Sequence, residues 1–175
     1  EKEGGAFLTG KAIGIIGCGH IGTDLSYLLQ PFNCQILICD ILDKSGVVDT
    51  YGATQVLQDE LLAEADVISL HVPLTELTQG MVNEEFLQKM KPTAYLINNS
   101  RGPVVNQKAL KNALQEKIIA GAALDVFESE PPDDIEFLDL PNLMVTPHIG
   151  GSANEAILAM GRYAISHLKR HFQNV

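Results

Sequence analysis

Three observations along this chain predict an α/β fold, a doubly wound parallel sheet wrapped by helices. Short apolar runs alternate with helix-period segments from end to end. The apolar runs are nearly continuous in Ile, Val, Leu and Ala, as strands covered on both faces require. The length, 175 residues, suits one domain spanning 1–175 that buries a core without disulfide or metal staples.

The expected strands are residues 12–16, 35–39, 66–70, 94–98, 120–126 and 143–146. Helices fit between them. Residues 21–30 read as a helix stopped by Pro31, which cannot continue one. Asn83 is placed to cap a helix over 84–90, with Phe86, Leu87 and Met90 on one face. A helix over 106–116 would bury Ala109, Leu110, Ala113 and Leu114. Ser152 and Glu155 have the spacing of a capping box that opens a long last helix. Its inner side would carry Ala156, Ile157, Met160, Ala164, Ile165 and Leu168. Residues 128–142, rich in Pro and acids, form the longest irregular stretch, and such a loop in a compact domain points to function or disorder.

Composition narrows the class. Hydrophobic residues are 46% and charged residues 19%, which describes a soluble globular chain. No apolar run approaches the ~18 residues that span a bilayer, so no membrane role is expected. The opening Glu-Lys-Glu-Gly-Gly does not look like a secretory signal. Cys18, Cys34 and Cys39 make neither an even framework nor a C-x-x-C pair and read as reduced thiols of a cytoplasmic protein. A net charge of −10 argues against nonspecific nucleic-acid binding. It does not exclude an anionic substrate, because one well-placed arginine can dominate a cleft.

Gly17-Cys18-Gly19-His20-Ile21-Gly22 is a G-x-G-x-x-G between an apolar strand and a helix. The first glycine makes the turn and the second lets backbone approach a pyrophosphate. The third packs helix close to strand, and the helix N-terminus offers free N–H groups. Alone the motif is weak, since glycines also make ordinary turns. Asp40, 18 residues after Gly22, strengthens it. An acid at the end of the second strand accepts the adenosine ribose 2′-OH and repels a 2′-phosphate, so the expected cofactor is NAD on a Rossmann-type domain.

Three more residues follow later strands, where a parallel sheet gathers its ligands. Arg101 offers a fork for a carboxylate. His148 can carry a proton to or from an alcohol oxygen, and Glu130 paired with it would raise its pKa and fix its tautomer. The plainer readings are a surface turn for Arg101, a loop before a helix for His148, and a solvated acidic loop for Glu130. Metal binding by the acids Asp125, Glu128, Glu130, Asp133 and Asp134 is not expected, because no histidine or regular spacing accompanies them.

These stretches resemble the NAD-dependent D-isomer-specific 2-hydroxyacid dehydrogenases, the family that includes D-3-phosphoglycerate dehydrogenase. The similarity runs from about Leu8 to Leu168. It is carried by Leu8-Thr9-Gly10-Lys11 with the glycine turn and by Ala65-Asp66-Val67-Ile68-Ser69-Leu70-His71-Val72-Pro73-Leu74. Asn98-Asn99-Ser100-Arg101-Gly102 follows, then Ala123-Leu124-Asp125-Val126-Phe127-Glu128-Ser129-Glu130-Pro131 and Thr146-Pro147-His148-Ile149-Gly150-Gly151. By resemblance, Arg101 binds the substrate carboxylate, His148 is the acid/base and Glu130 supports it. Asp125 lies near the nicotinamide, and cofactor contacts fall on His20, Ile21, Asp40, Val72, Pro73, Asn99 and Gly150. The substrate implied is a small 2-hydroxy or 2-keto acid, 3-phosphoglycerate-like among the options, and the assembly implied is a homodimer. The chain departs at His20, where many relatives carry arginine, and at Cys18, where an aliphatic is common.

Family members have a second, substrate domain that this stretch does not include, so the expectation is one domain of a longer enzyme, excised or natural. The isolated chain is then expected to bind cofactor without turnover. The alternative is an NAD(H)-sensing interaction module, like the transcriptional corepressors that share this fold and triad.

Overall fold

The computed structural model describes residues 5–173. The opening residues 1–4, on which the expectation of no secretory signal mainly rests, lie outside the described residues. The sheet is wholly parallel and has seven strands, in the order β3-β2-β1-β4-β5-β6-β7. In chain order the elements are β1 (Ala12–Ile16), α1 (His20–Leu28), β2 (Gln35–Cys39), α2 (Ser45–Tyr51), β3 (Thr54–Gln55), α3 (Gln58–Glu64) and β4 (Val67–Leu70). Then come α4 (Glu84–Lys89), β5 (Tyr95–Asn98), α5 (Gln107–Gln115), β6 (Gly121–Leu124), α6 (Ile135–Leu138), β7 (Leu143–Val145) and α7 (Asn154–Gln173).

The six expected strands are present, each within two residues of its expected ends. The seventh, β3, is two residues long, and neither α2 nor α3 was expected. Two 3₁₀ turns, Gln30–Phe32 and Gly102–Val104, complete the path, the first taking Pro31 inside it. The segment 128–142 is not wholly irregular: Asp134 accepts the Phe137 N–H and caps α6, and Phe137 is completely buried.

The strand order reverses between β1 and β4, and register makes that reversal a site. Ile16 pairs with both Cys39 and Leu70, Leu70 with Asn98, Asn98 with Leu124, and Leu124 with Val145. The last residues of six strands thus form one row. The residues one step beyond, among them Gly17, Asp40, His71, Asn99, Asp125 and Thr146, make up the carboxyl edge where such sheets bind ligands.

Alternation along β1 feeds two cores. Ala12 and Ile16 join Leu61, Leu87, Leu96, Leu110 and Phe137 under α3 to α6, while Ile13 and Ile15 join Ile36, Ile38 and Leu29 under α1 and α2. Burial on both faces does not extend across the sheet. Tyr95 on β5 and Met144 on β7 are exposed, while Leu96, next to Tyr95 along β5, is buried. The last helix also departs from expectation. Ile157, Met160, Ala164, Ile165 and Leu168 stay exposed and only Ala156 is partly covered, so the stripe read as an inner side meets no part of this domain. Its first turn has the Ile157 N–H on the Ala153 carbonyl, which puts Ser152 one residue too early for the expected capping box.

Candidate functional site

At the end of β1, Gly17 has φ +88° and gives its N–H to the Cys39 carbonyl at 2.9 Å. A Cβ there would lie 2.7 Å from the His71 carbonyl oxygen, so only glycine fits both the angle and the space. At Gly22 a Cβ would come 2.5 Å from the Gly17 carbonyl oxygen, which is how closely α1 packs on the turn. Gly19 differs: nothing lies within 4 Å of its Cβ position, so the backbone there is open to a ligand. No side chain caps α1, leaving its first N–H groups for an anion.

His20 and Ile21 stand exposed on that first turn. They line a cavity of about 550 Å3 together with residues 71–74 after β4 and 99–101 after β5. Val72, Pro73, Asn99 and Arg101 therefore share one cavity with the glycine turn. An open second glycine, an uncapped helix start and this cavity are together what a dinucleotide's pyrophosphate and nicotinamide half require, so the residues present fit NAD.

Asp40 follows β2. Its Oδ2 accepts the Cys18 N–H at 2.7 Å, its Oδ1 accepts the Leu42 N–H at 2.9 Å, and Lys44 Nζ stands 3.5 Å from Oδ2. Burial pushes the carboxyl pKa up, but the two N–H donors and Lys44 outweigh it and hold it below the usual aspartate value.

The loop after β5 is organised by Asn98, a buried side chain. Its Oδ1 accepts from the Ser100 N–H and hydroxyl, and its Nδ2 donates to the Arg101 carbonyl at 3.0 Å. Gly102 lies so close to the Phe127 carbonyl that a Cβ would overlap it, which ties this loop to the end of β6. The Arg101 side chain is exposed and its Nη1 donates to the Ser100 carbonyl at 2.6 Å.

Glu130 and His148 do meet. Glu130 Oε2 is 2.7 Å from His148 Nδ1, and Glu130 Oε1 accepts the Phe127 N–H at 3.1 Å. The bond from His148, then the one from Phe127, holds the Glu130 pKa below its ordinary value. An ionised carboxylate only accepts, so Nδ1 carries the hydrogen and Nε2 is left for proton transfer. His148 has φ +54°, a conformation a non-glycine residue keeps only when its surroundings impose it. Asp125 supplies that constraint. Its Oδ1 accepts from Thr146 Oγ1 at 2.5 Å and the Ile149 N–H at 2.9 Å, and its Oδ2 accepts the Gly150 N–H at 2.8 Å. Burial raises the Asp125 pKa, but the Thr146, Ile149 and Gly150 donors and the neighbouring His148 bring it below the usual value.

Most of the expected residues line three adjoining cavities, while Asp40, Gly17 and Gly22 line none of them. Arg101 shares the first with the glycine turn. Glu130 and His148 line a second, of about 380 Å3, with Phe127, Pro131 and Val145. Asp125 and Gly150 line a third, of about 320 Å3, and Asn99 belongs to both the first and the third. The structure joins Glu130 to His148 and Asp125 to the turn that carries His148. It does not bring the Arg101 guanidinium onto either pair. Sequence reasoning missed Asn98, Lys44, Thr146 and the Ser69–His71 pair, whose Oγ and Nε2 are 2.9 Å apart and whose imidazole pKa is lowered by burial. A polar residue ending an apolar strand was the available signal for Asn98.

Residues 1–150 match the family described as "D-isomer specific 2-hydroxyacid dehydrogenase, NAD binding domain". A glyoxylate reductase of Thermofilum pendens is 45% identical over 168 residues, covering 94% of this chain and 49% of that protein. The D-3-phosphoglycerate dehydrogenase of Bacillus subtilis is 39% identical over 154 residues, 88% of this chain and 29% of its own length. Among solved structures, the D-lactate dehydrogenase of Aquifex aeolicus, complexed with NAD and lactic acid, superposes with a TM-score of 0.84 at 32% identity, over 94% of this chain and 54% of that one. The chain spans about half the length of the glyoxylate reductases it matches. It belongs to the D-isomer specific 2-hydroxyacid dehydrogenase family, as an NAD-binding domain of that family.

Proposed function

We propose that the full-length protein carrying this chain transfers hydride between NAD(H) and a small D-2-hydroxy acid or its 2-keto acid. The observation that carries this reading is the Glu130–His148 pair at 2.7 Å on the carboxyl edge of the sheet, beside the glycine turn. Gly17, Gly19, Gly22, His20, Ile21, Asp40, Val72, Pro73, Asn99 and Gly150 would hold NAD(H), which would supply or accept the hydride.

The chain's own residues handle charge and proton. Arg101, on the exposed loop after β5, grips the substrate carboxylate through its planar fork and so fixes which face of C2 is presented. His148 Nε2 gives a proton to the keto oxygen during reduction and takes it back during alcohol oxidation. Glu130 stabilises the imidazolium and keeps Nδ1 as the donor, so one nitrogen does the chemistry. Asp125 acts through the turn it holds, keeping His148 in its left-handed conformation.

Residues 1–175 then form one domain of a longer, two-domain enzyme, a reading supported by relatives roughly twice as long. No described helix is long and apolar enough to cross a membrane. A cytoplasmic homodimer accords with three free cysteines and with exposed Tyr27, Leu28 and Phe32 at the end of α1. The relatives named above are reductases and dehydrogenases, and no observation favours the corepressor-like module.

The test is His148→Asn in the full-length protein, assayed first with glyoxylate because a relative reduces it by name. Turnover should fall by about 10²–10⁴-fold, with NADH affinity held within about twofold. Preserved turnover, or lost NADH affinity in its place, refutes the assignment.

A further inference from the structure

The loop that carries Arg101 and the turn that carries Glu130 meet at the backbone of Phe127. A Cβ at Gly102 would overlap the Phe127 carbonyl and lie 2.6 Å from the Glu128 backbone nitrogen. Gly102 is not among the glycines with a positive φ, so what demands glycine there is space and not backbone angle. The junction has no slack. The cavity bordered by Gly102, Val126 and Phe127 is about 10 Å3, barely the room of one water. Glu128 ties the two segments a second time by accepting the Gln107 N–H at 2.9 Å. Phe127 also reaches the proton-transfer pair: its N–H donates to Glu130 Oε1 at 3.1 Å, and Glu130 Oε2 is 2.7 Å from His148 Nδ1.

On its other side the Arg101 loop hangs from Asn98, whose buried amide donates to the Arg101 carbonyl and accepts from the Ser100 N–H and hydroxyl. The Asn98 carbonyl in turn accepts the Asp125 N–H at 2.9 Å, which fixes the two strand ends to each other. Arg101 therefore stands between two fixed points, the Asn98 amide and the Gly102 contact. Its backbone cannot move toward β6 without pushing Phe127, and Phe127 cannot move without straining its bond to Glu130. Close-packed interiors transmit such displacements instead of absorbing them. The stakes are high, because a misplacement of about 1 Å in a reacting group can cost on the order of 10²-fold in rate.

We propose that Asn98 and Gly102 are positioning residues for the hydride transfer, setting through the Phe127 backbone the separation between Arg101 and the Glu130–His148 pair. This rests on the reading that Arg101 grips the substrate carboxylate and His148 moves the proton. Neither Asn98 nor Gly102 touches the substrate. They couple the grip to the proton transfer, so a shift of the Arg101 loop is felt at Glu130.

The experiment is steady-state reduction of glyoxylate and pyruvate by the full-length protein with NADH, for the unmodified protein and its variants, each checked for folding by circular dichroism. Gly102→Ala should raise the keto-acid KM at least about tenfold and lower kcat on the order of 10²-fold, with NADH affinity within about twofold. Placed on Glu130→Ala, the same substitution should still raise KM but lower kcat no further, since the link to the pair is already cut. Ser100→Ala removes only the hydroxyl bond to Asn98 and should raise KM roughly threefold. A folded Gly102→Ala protein with unchanged KM and kcat overturns the proposal. So does an equal kcat loss with and without Glu130, which would make the contact only structural. If Gly102→Ala does not fold, Ser100→Ala decides, and a KM within about 1.5-fold of the unmodified protein overturns the proposal. Unmodified protein that reduces neither keto acid would instead overturn the dehydrogenase reading, and the proposal with it.

Discussion

Asp125→Asn removes one negative charge at the end of β6 and leaves the side chain's shape nearly unchanged. The site is closed, since Asp125 is 8% exposed and three protein donors converge on it. An asparagine oxygen can keep Thr146 and Ile149 as donors, but the amide nitrogen must then face the Gly150 N–H, donor against donor. One charge-assisted bond of about 1.5–3 kcal/mol is lost, and two others drop toward the neutral range of about 0.5–1.5 kcal/mol. Relief of the buried charge returns part of this, because burial alone disfavours the ionised aspartate. The net cost is about 2–4 kcal/mol, which for a domain of this size lowers Tm by roughly 5–15 °C. The functional effect is sharper. Without those bonds the turn can relax His148 out of its left-handed conformation, so kcat of the full-length enzyme should fall while NADH affinity changes little. Thermal melts followed by circular dichroism and steady-state kinetics check both halves. A Tm within about 1 °C and a kcat within about twofold of the unmodified protein would refute the idea that Asp125 holds the turn.

Phe137→Ala empties a completely buried position that anchors the acidic segment to the core, so it should cost about 3–5 kcal/mol; a chemical denaturation midpoint that stays put would show the segment is not anchored there. Acid should destabilise the protein through Asp40, Asp66 and Asp125, all of which have depressed pKa values in the folded state. Their contribution is complete well above the unfolded value of ~3.9 and is lost as pH falls through the folded values. Tm should therefore decline steadily between about pH 5 and pH 3, and a flat profile over that range counts against these bonds.

What could be read from the sequence was whatever a short pattern states by itself. Strands covered on both faces announce themselves as apolar runs, and the glycine turn needs only its flanking strand and helix to be recognised. The Glu130–His148 pair was legible because each residue follows a late strand; Glu128, two residues before Glu130, instead accepts the Gln107 N–H through its Oε1. The missed elements lack such patterns. β3 has two residues, α2 offers only Val47 and Val48 on an otherwise polar turn, and α3 buries just Leu61 and Leu62. In α7 the pattern was read correctly as an apolar stripe, yet a stripe says that a face is apolar and not what meets it. Arg101 shows the same gap: its place after β5 follows from the strand, but the direction of its guanidinium depends on Ser100 and Asn98.

Net charge misleads in the same way. A chain of −10 is a poor match for a pyrophosphate and an anionic substrate if charge is counted over the whole surface. The acids on the carboxyl edge are not free to repel, however. Asp40 is held by two N–H groups and Lys44, Asp125 by two N–H groups and a hydroxyl, and Glu130 by His148 and the Phe127 N–H. Each spends its charge on fixing a loop. What faces the main cavity is the uncapped start of α1, His20 and the Arg101 loop. The local field of the crevice is set by donors that remain unspent, so an acidic domain can still present a cradle for a pyrophosphate.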